Sequence, residues 1–204
     1  MIITVTALKG GVGKTTTALH LAEYLSRVRG EKTVLLDADP TSYAIDYVET
    51  GREHDDGFRF DVFPMAAAMN KVRNYDHVVI DTEARPSDAD LANYAQGCDL
   101  LIVPTPPAAM PLKRLAELMK ILGEADNWRA LLTMCQPHPS RQAADAREAM
   151  QAMGIPLFQA DIPRAAAFEH ASKVGLPVDA WDARGKEVWQ SYELLGREID
   201  ELIS

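Results

Sequence analysis

The stretch Lys9-Gly-Gly-Val-Gly-Lys-Thr-Thr16 decides how this chain of 204 residues folds. It follows an apolar run, Ile2–Ala7, and opens a segment with helical periodicity, Lys14–Val28, so it joins a strand to a helix. Its three glycines let the backbone turn tightly, which points successive N–H groups inward beside the positive end of the helix. The pattern therefore predicts a phosphate-binding loop.

The residue types in this loop suit the phosphates of a nucleotide. Lys14 places a point charge on the β- and γ-phosphates, and the hydroxyl of Thr15 can ligate Mg²⁺. The residues expected around the phosphates are Gly10, Gly11, Val12, Gly13, Lys14, Thr15 and Thr16. An ordinary glycine turn with two surface lysines is the alternative, and the length, order and flanks of the loop disfavour it.

Short apolar runs alternate with longer amphipathic segments along the whole chain. The runs are rich in Val, Ile and Leu and barely alternate with polar residues, as in strands buried on both faces. The predicted strands are Ile2–Ala7, Thr33–Asp37, Arg59–Phe63, His77–Asp81, Leu100–Pro104, Arg129–Met134 and Leu157–Gln159. The predicted helices are Lys14–Val28, Ser87–Gln96, Leu112–Leu122, Ser140–Met153, Ala165–Val174 and Gly185–Ile203. This alternation predicts a single α/β domain over residues 1–204, with a mostly parallel twisted sheet and helices on both faces.

The composition is that of an ordinary globular chain. Hydrophobic residues make up 47% and charged residues 25%, which excludes disordered, collagen-like and coiled-coil chains. No apolar run approaches the roughly 20 residues that cross a bilayer, and Met1–Leu8 lacks the basic start of a signal peptide. The two cysteines, Cys98 and Cys135, are expected to be buried thiols in a reducing cytoplasm. The net charge of -9 disfavours tight binding to nucleic acid.

Carboxylates follow two of the predicted strands. Asp37 and Asp39 close the strand at Thr33–Asp37, and Asp81 closes the strand at His77–Asp81. The apolar run that ends at Asp81 resembles a Walker B strand, so Asp81 is expected to hold Mg²⁺ directly or through water, and an aspartate that merely ends the strand is the alternative. For Asp37 and Asp39, a turn with a side-chain cap is the alternative.

The loop resembles the deviant Walker A box of the ParA/MinD group of P-loop ATPases. In that family the early lysine, here Lys9, reaches across an ATP-sandwich dimer to the phosphates bound by the facing protomer. The resemblance implies ATP and Mg²⁺ as cofactors, and a homodimer whose assembly depends on ATP. It also implies that Lys9, Lys14 and Asp39 are catalytic residues, that Asp39 positions the attacking water, and that Asp37 supports the Mg²⁺ shell.

Later segments resemble the family more weakly. Gln136 and Pro163 fall where the family places base-recognition residues, so both are assigned to the adenine rim. After Asp81 the family usually continues with Pro or Ala and then Gly, whereas this chain has Glu83 and Arg85. A carboxylate near the γ-phosphate would be repulsive unless it is paired, with Arg85 or with Lys9 of a second copy.

The resemblance implies an ATPase that partitions or positions cargo such as a plasmid, a chromosome or a protein body like the carboxysome. It would act through weak, ATP-dependent, nonspecific DNA binding and through hydrolysis stimulated by an adaptor of ParB type or an equivalent. Residues that could contact DNA phosphates are Arg141, Arg147, Arg164, Lys173, Arg184, Lys186 and Arg197. The acidic residues 196–204 disfavour a basic membrane-binding helix, so a cytoplasmic, nucleoid-associated protein is expected.

Two other functions fit parts of the sequence. A metabolic P-loop ligase resembling dethiobiotin synthetase has a similar size and fold, but it needs no lysine reaching across to a second copy's phosphates, so Lys9 disfavours it. A nucleotide-binding scaffold with slow turnover is kept open by Glu83.

Overall fold

The computed structural model describes residues 1–123, 125–137 and 141–203. Its strands are β1 (Ile2–Ala7), β2 (Thr33–Asp37), β3 (Asp61–Pro64), β4 (His77–Ala84), β5 (Leu100–Thr105), β6 (Trp128–Cys135) and β7 (Leu157–Pro163). Its α-helices are α1 (Lys14–Glu23), α2 (Tyr43–Thr50), α3 (Asp88–Gly97), α4 (Ala109–Leu122), α5 (Arg141–Ala152), α6 (Ala166–Val174), α7 (Val178–Trp181) and α8 (Ala183–Ile203). The strands form one sheet in the order β3-β2-β4-β1-β5-β6-β7, with every neighbouring pair parallel.

The α/β class and the parallel sheet predicted from the sequence are confirmed. Strands β1 and β2 have the predicted bounds, whereas β4 and β7 continue to Ala84 and Pro163. The predicted helix at Lys14–Val28 is an α-helix as far as Glu23 and then a π-helical turn. Ser140, predicted as the start of α5, lies outside the described residues.

Two helices and two short turns are absent from the sequence prediction. They are α2, α7 and the 3₁₀ turns Met65–Asn70 and Val72–Asn74. Helix α4 also begins three residues before the predicted Leu112, and it includes Pro111. Proline is tolerated in that first turn because the N–H groups there have no helical partner.

The helices cover both faces of the sheet with separate apolar clusters. On one face α1, α2, α6 and α8 bury residues such as Leu19, Tyr192 and Leu195 against β1, β2 and β7. On the other face α3, α4 and α5 bury Leu91, Leu118 and Met150 against β5 and β6. Each face thus removes a continuous apolar surface from water, which is the main stabilising contribution in such a fold.

Strand β1 lies at the point where the strand order reverses, with β4 on one side and β5 on the other. Connections diverge at such a point and leave a crevice outside the carboxyl ends of the strands. Within the β1–β4 pair, Val5 is opposite Asp81 but Ala7 is opposite Ala84, so β4 carries one extra residue in a bulge. Bulges re-aim the residues that follow them, here at the edge of the crevice.

Both cysteines are buried and free, as the sequence predicts. Burial raises the pKa of the Cys135 thiol to about 12, which keeps it protonated and unreactive near neutral pH. Within the described ranges, no helix combines the length and the apolar character that a membrane span requires.

Candidate nucleotide site

The loop after β1 has the backbone shape that phosphate binding needs. Gly11 and Gly13 adopt φ angles of 72° and 87°, in the left-handed region that glycine enters without strain. Gly13 caps the start of α1, and its carbonyl accepts the first helical hydrogen bond from Thr17 N at 2.9 Å. The start of α1 therefore lies directly beneath the loop, where its unpaired N–H groups favour an anion.

A threonine on a distant strand fixes the loop. The Oγ1 atom of Thr133, on β6, donates a hydrogen bond to the carbonyl of Val12 at 2.8 Å, and both residues are buried. The sequence analysis did not identify Thr133, because it follows the loop by 121 residues. A buried polar residue near the end of an apolar strand is the only signal that could have pointed to it.

Lys14 and Asp81 form a buried ion pair. Lys14 Nζ lies 2.7 Å from Asp81 Oδ1, and the two residues are 8% and 0% exposed. Burial raises the pKa of Asp81, and the charge of Lys14 opposes that rise. The structure thus brings together two residues that the sequence assigned separately, the phosphate lysine and the Mg²⁺ carboxylate.

The oxygen atoms around Asp81 fit Mg²⁺. Its Oδ2 atom is buried and accepts no hydrogen bond of standard geometry, while the nearby Thr15 hydroxyl also helps to hold down the pKa of Asp81. Mg²⁺ in nucleotide sites usually takes one or two protein oxygens, with phosphate oxygens and water completing its octahedron. Thr15 and Asp81 would therefore hold the ion, which neutralises phosphate charge when bound.

Asp37 organises the segment that we call switch I, residues 37–45. Its Oδ1 accepts a hydrogen bond from Asp39 N at 3.0 Å, and its Oδ2 accepts from Ala44 N at 3.1 Å and Ile45 N at 3.2 Å. Because both oxygens are engaged by backbone, Asp37 is placed to support a Mg²⁺ shell through its charge, which also acts on Asp81.

Asp39 lies further along switch I in a tight turn. Its Oδ1 accepts hydrogen bonds from Thr41 N at 2.9 Å and Thr41 Oγ1 at 2.7 Å. The Thr41 backbone bond, opposed by partial burial and helped by the Thr41 hydroxyl and the charge of Lys14, lowers the pKa of Asp39. Asp39 is therefore ionised near neutral pH, and its role in orienting a water stays a prediction.

Switch II, residues 81–86, contains Glu83 and Arg85, the two residues that depart from the family pattern. Burial and then the charge of Glu83 raise the pKa of Tyr94 on α3, whereas Glu83 is not among the groups that shift Asp81. Glu83 is therefore close enough to α3 for its charge to act on Tyr94, and its effect on the γ-phosphate stays a prediction. In the described part of the chain, Glu83 forms no ion pair with Arg85, which adopts a left-handed φ of 60°.

The remaining assigned residues lie along the same edge of the sheet. Lys9 is exposed at the start of the loop, and Gln136 is exposed directly after β6. Pro163 ends β7 and pairs in register with Cys135, the residue before Gln136. Gln136 and Pro163 are therefore neighbours at the carboxyl edge, and their contact with adenine stays a prediction.

His20 is a further residue that the sequence analysis missed. It is fully buried on α1, and burial lowers its pKa to about 4, so the ring is neutral. Its Nδ1 donates to the Thr16 carbonyl at 2.8 Å, and its Nε2 accepts from Val178 N at 3.1 Å. The neutral ring thus fastens the loop helix to α7.

Comparisons with known proteins agree with this geometry. The family model described as the CobQ/CobB/MinD/ParA nucleotide binding domain matches residues 3–178. The maintenance of carboxysome distribution protein A of Gloeobacter kilaueensis is 34% identical over 200 residues, covering 94% of this chain and 90% of that protein. The protein of the same description from Halothiobacillus neapolitanus is 26% identical over 197 residues, covering 90% of this chain and 89% of that protein.

Among solved structures, the MinC:MinD cell division complex of Aquifex aeolicus superposes with a TM-score of 0.77. The superposition covers 98% of this chain and 95% of that one at 15% sequence identity. At this identity the likeness shows the fold alone, which is the nucleotide-binding fold deduced above.

Proposed function

We propose that this chain, which belongs to the CobQ/CobB/MinD/ParA nucleotide-binding family, hydrolyses ATP to position intracellular cargo. The two carboxysome distribution proteins, aligned over about nine-tenths of their lengths, favour a protein body such as the carboxysome as the cargo. A plasmid or a chromosome is the other cargo class, which similarity to partition proteins suggests.

The contrast between the two lysines of the loop is the observation that carries this proposal. Lys14 is buried on Asp81, where it can move onto nucleotide phosphates, whereas Lys9 is exposed and has no ion pair with any described residue. A lysine that its own site does not use is available to phosphates presented by a second copy. The chain would therefore close into a dimer around ATP.

The site's own residues suggest the order of events. Lys14 leaves Asp81 when phosphates enter the loop, which frees both Asp81 oxygens for Mg²⁺ beside Thr15. Asp39, held ionised by Thr41, orients the attacking water toward the γ-phosphate. After hydrolysis the contacts made by the γ-phosphate are lost, and the dimer opens.

Weak binding of the ATP-bound dimer to nonspecific DNA, followed by release, would couple this cycle to cargo on the nucleoid. Three of the seven basic residues expected to face DNA have partners within the chain. Arg147 donates to the carbonyls of Phe158 and Gln159, and Arg141 and Arg197 lie near Asp145 and Glu193. Arg164, Lys173, Arg184 and Lys186 remain exposed candidates. An adaptor of ParB type would stimulate hydrolysis and set the timing of release.

The decisive experiment measures binding to nonspecific duplex DNA with ADP and with ATP and Mg²⁺, together with the oligomeric state by light scattering. We expect the chain to dimerise and to bind DNA with ATP and Mg²⁺ but not with ADP. DNA binding should weaken steeply as the salt concentration rises. The Lys14→Ala variant is the control, and we expect it neither to dimerise nor to bind DNA. Monomers in every nucleotide state, with ATP affinity intact, would contradict the proposal and favour a metabolic ligase.

A second experiment separates assembly from hydrolysis. Asp39→Ala should bind ATP normally and hold the dimer, because it removes the group that orients water but leaves Lys14, Thr15 and Asp81 in place. Turnover should fall at least about a hundredfold, the lower end of the range for loss of a general base. Unchanged turnover would show that Asp39 has no part in the reaction.

A further inference from the structure

A cavity of about 550 Å³ opens beside the phosphate loop, on the face of the sheet that carries α3 and α4. Its walls come from the start of the loop, the end of switch II, the end of β5 and one side of α4. Lys14, Thr15 and Asp81 do not line it, so it is separate from the Mg²⁺ position. Its volume lies within the range of about 300–1,000 Å³ that small-molecule sites occupy.

The interior of this cavity is largely apolar. The apolar lining residues include Leu8, Val12, Leu91, Pro104, Leu118 and Ile121. Several of them belong to the cluster between the sheet and α3 and α4, so the walls are fixed by packing. A preformed apolar cavity of this kind stabilises the apolar body of a ligand by removing it from water.

The charged residues of the cavity leave an excess of positive charge at one end. Lys9 and Arg85 are exposed, and neither forms an ion pair with a described residue. On the opposite wall Arg114 lies 3.4 Å from Glu117, so that pair is close to neutral. Asp88 stands in the first turn of α3, where the positive helix end partly offsets its charge.

The backbone holds Arg85 in place at this end. Its φ of 60° is unfavourable for a residue with a Cβ atom, and it precedes Pro86, which restricts it further. Its N–H donates to the Ala7 carbonyl at 3.4 Å, which keeps it next to the start of the loop. Such an outlier persists only where surrounding structure determines it, and it often marks a functional position.

We propose that this cavity binds a small organic anion with an apolar body, with its carboxylate or similar group at Lys9 and Arg85. The apolar body would lie against Leu118 and Ile121 on α4. This goes beyond the cargo-positioning function, because it adds a ligand other than the nucleotide. One consequence does rest on that function: a bound anion would hold Lys9 and so oppose ATP-dependent dimerisation.

Calorimetric titration of the nucleotide-free protein tests the site, with phenylbutyrate as the anionic probe and phenylbutanol as its uncharged match. We expect saturable binding of phenylbutyrate to one site, and binding of phenylbutanol at least about tenfold weaker, as a charge-assisted hydrogen bond implies. The Arg85→Ala variant should bind phenylbutyrate more weakly by about the same factor and should bind phenylbutanol with unchanged affinity. Absence of phenylbutyrate binding, or equal affinity for both probes, would overturn the proposal.

A pair of variants on α4 tests the apolar part of the site. Ile121→Trp fills the cavity from its wall and should abolish phenylbutyrate binding, whereas Lys120→Trp, at the neighbouring exposed position, should not. Circular dichroism checks that both variants fold. If Ile121→Trp does not fold, the titration of Arg85→Ala tests the proposal instead. Binding by folded Ile121→Trp at the wild-type affinity would overturn the proposal.

The effect on assembly is measured by light scattering with ATP. Phenylbutyrate should lower association of the wild-type chain and have no effect on Ile121→Trp. If the wild-type chain never associates with ATP, the cargo-positioning proposal fails while the calorimetric result still decides the anion site.

Discussion

Switch I and switch II lie side by side at the carboxyl ends of β2 and β4, yet they are held in different ways. In switch I, the Asp37 carboxylate accepts three backbone hydrogen bonds and Asp39 accepts two bonds from Thr41. In switch II, one Asp81 oxygen binds Lys14, the other accepts no standard hydrogen bond, and Arg85 is in a left-handed conformation.

The difference shows how one site can combine a fixed element with a responsive one. Switch I is organised by its own side chains without a nucleotide, so the role proposed for Asp39 in orienting water would need little rearrangement. In switch II, Asp81 is bound by Lys14, which moves onto the phosphates in the proposed cycle. Nucleotide binding is therefore expected to be reported mainly through switch II.

The largest expected effect comes from removing the anchor of switch II. Lys14→Ala leaves the Asp81 carboxylate buried without its partner, so we expect a loss of about 3 kcal/mol in the free energy of unfolding, as when a buried ion pair is broken. Urea denaturation measures this loss of stability. The control is Lys9→Ala, which changes an exposed lysine in the same loop. Equal stability of the two variants would mean that the ion pair does not hold switch II.

Removing the organiser of switch I should have the next largest effect. Asp37→Ala deletes the acceptor for Asp39, Ala44 and Ile45 N–H groups, and we expect a loss of about 2 kcal/mol, the upper range for a helix cap. The Asp37→Asn variant keeps one acceptor oxygen, so its loss in the free energy of unfolding should be smaller. If Asp37→Ala unfolds at the wild-type urea concentration, switch I is not organised by this residue.

Glycine substitutions compare the backbone of the two switches directly. Ser42 in switch I has a φ of 54°, and Arg85 in switch II has a φ of 60°. Ser42→Gly and Arg85→Gly should each raise the free energy of unfolding by about 1 kcal/mol, because glycine adopts this conformation freely. Ser42→Ala and Arg85→Ala retain the Cβ atom and should show no such gain in the same thermal melts.

The smallest effect concerns the charge of Asp39. Because its pKa is lowered in the folded chain, its contribution to stability is present above the unfolded pKa, taken as 3.8, and is lost as pH falls through the lower folded pKa. Asp39 is half-buried at the surface, and solvent screening limits this contribution to about a few tenths of a kcal/mol. Asp39→Asn should therefore be slightly less stable than wild type at neutral pH and equal to it in acid. A stability difference between Asp39→Asn and wild type that stays constant from neutral pH to acid would contradict the lowered pKa of Asp39.

The sequence predicted the parts of the site that depend on local pattern. The loop, Asp81 and the first strands were accessible because a strand, a glycine turn and a helix follow one another directly, and because parallel strands place their carboxyl ends at one edge. Helix α2 was missed because Tyr43, Ile45 and Val48 are weak helix formers. Its start is capped instead by Asp37, which precedes it by several residues.

Contacts between distant residues could not be read from the sequence. The pairing of Lys14 with Asp81 and of Thr133 with Val12 joins residues that are 67 and 121 positions apart. The register of β4 against β1 also depends on a single extra residue, which the sequence does not reveal. The electrostatic effect of Glu83 on Tyr94 likewise joins β4 to α3, so it follows from the fold and not from local pattern.

The position of β1 in the middle of the sheet also bears on how the chain folds as it leaves the ribosome. β1 is made first, but its partners β4 and β5 begin only at His77 and Leu100. An apolar segment with no neighbours is exposed to aggregation until those residues emerge. The phosphate loop can therefore take its final shape only after β4, β5 and Thr133 on β6 have emerged, so residues that are made early become competent for nucleotide late in synthesis.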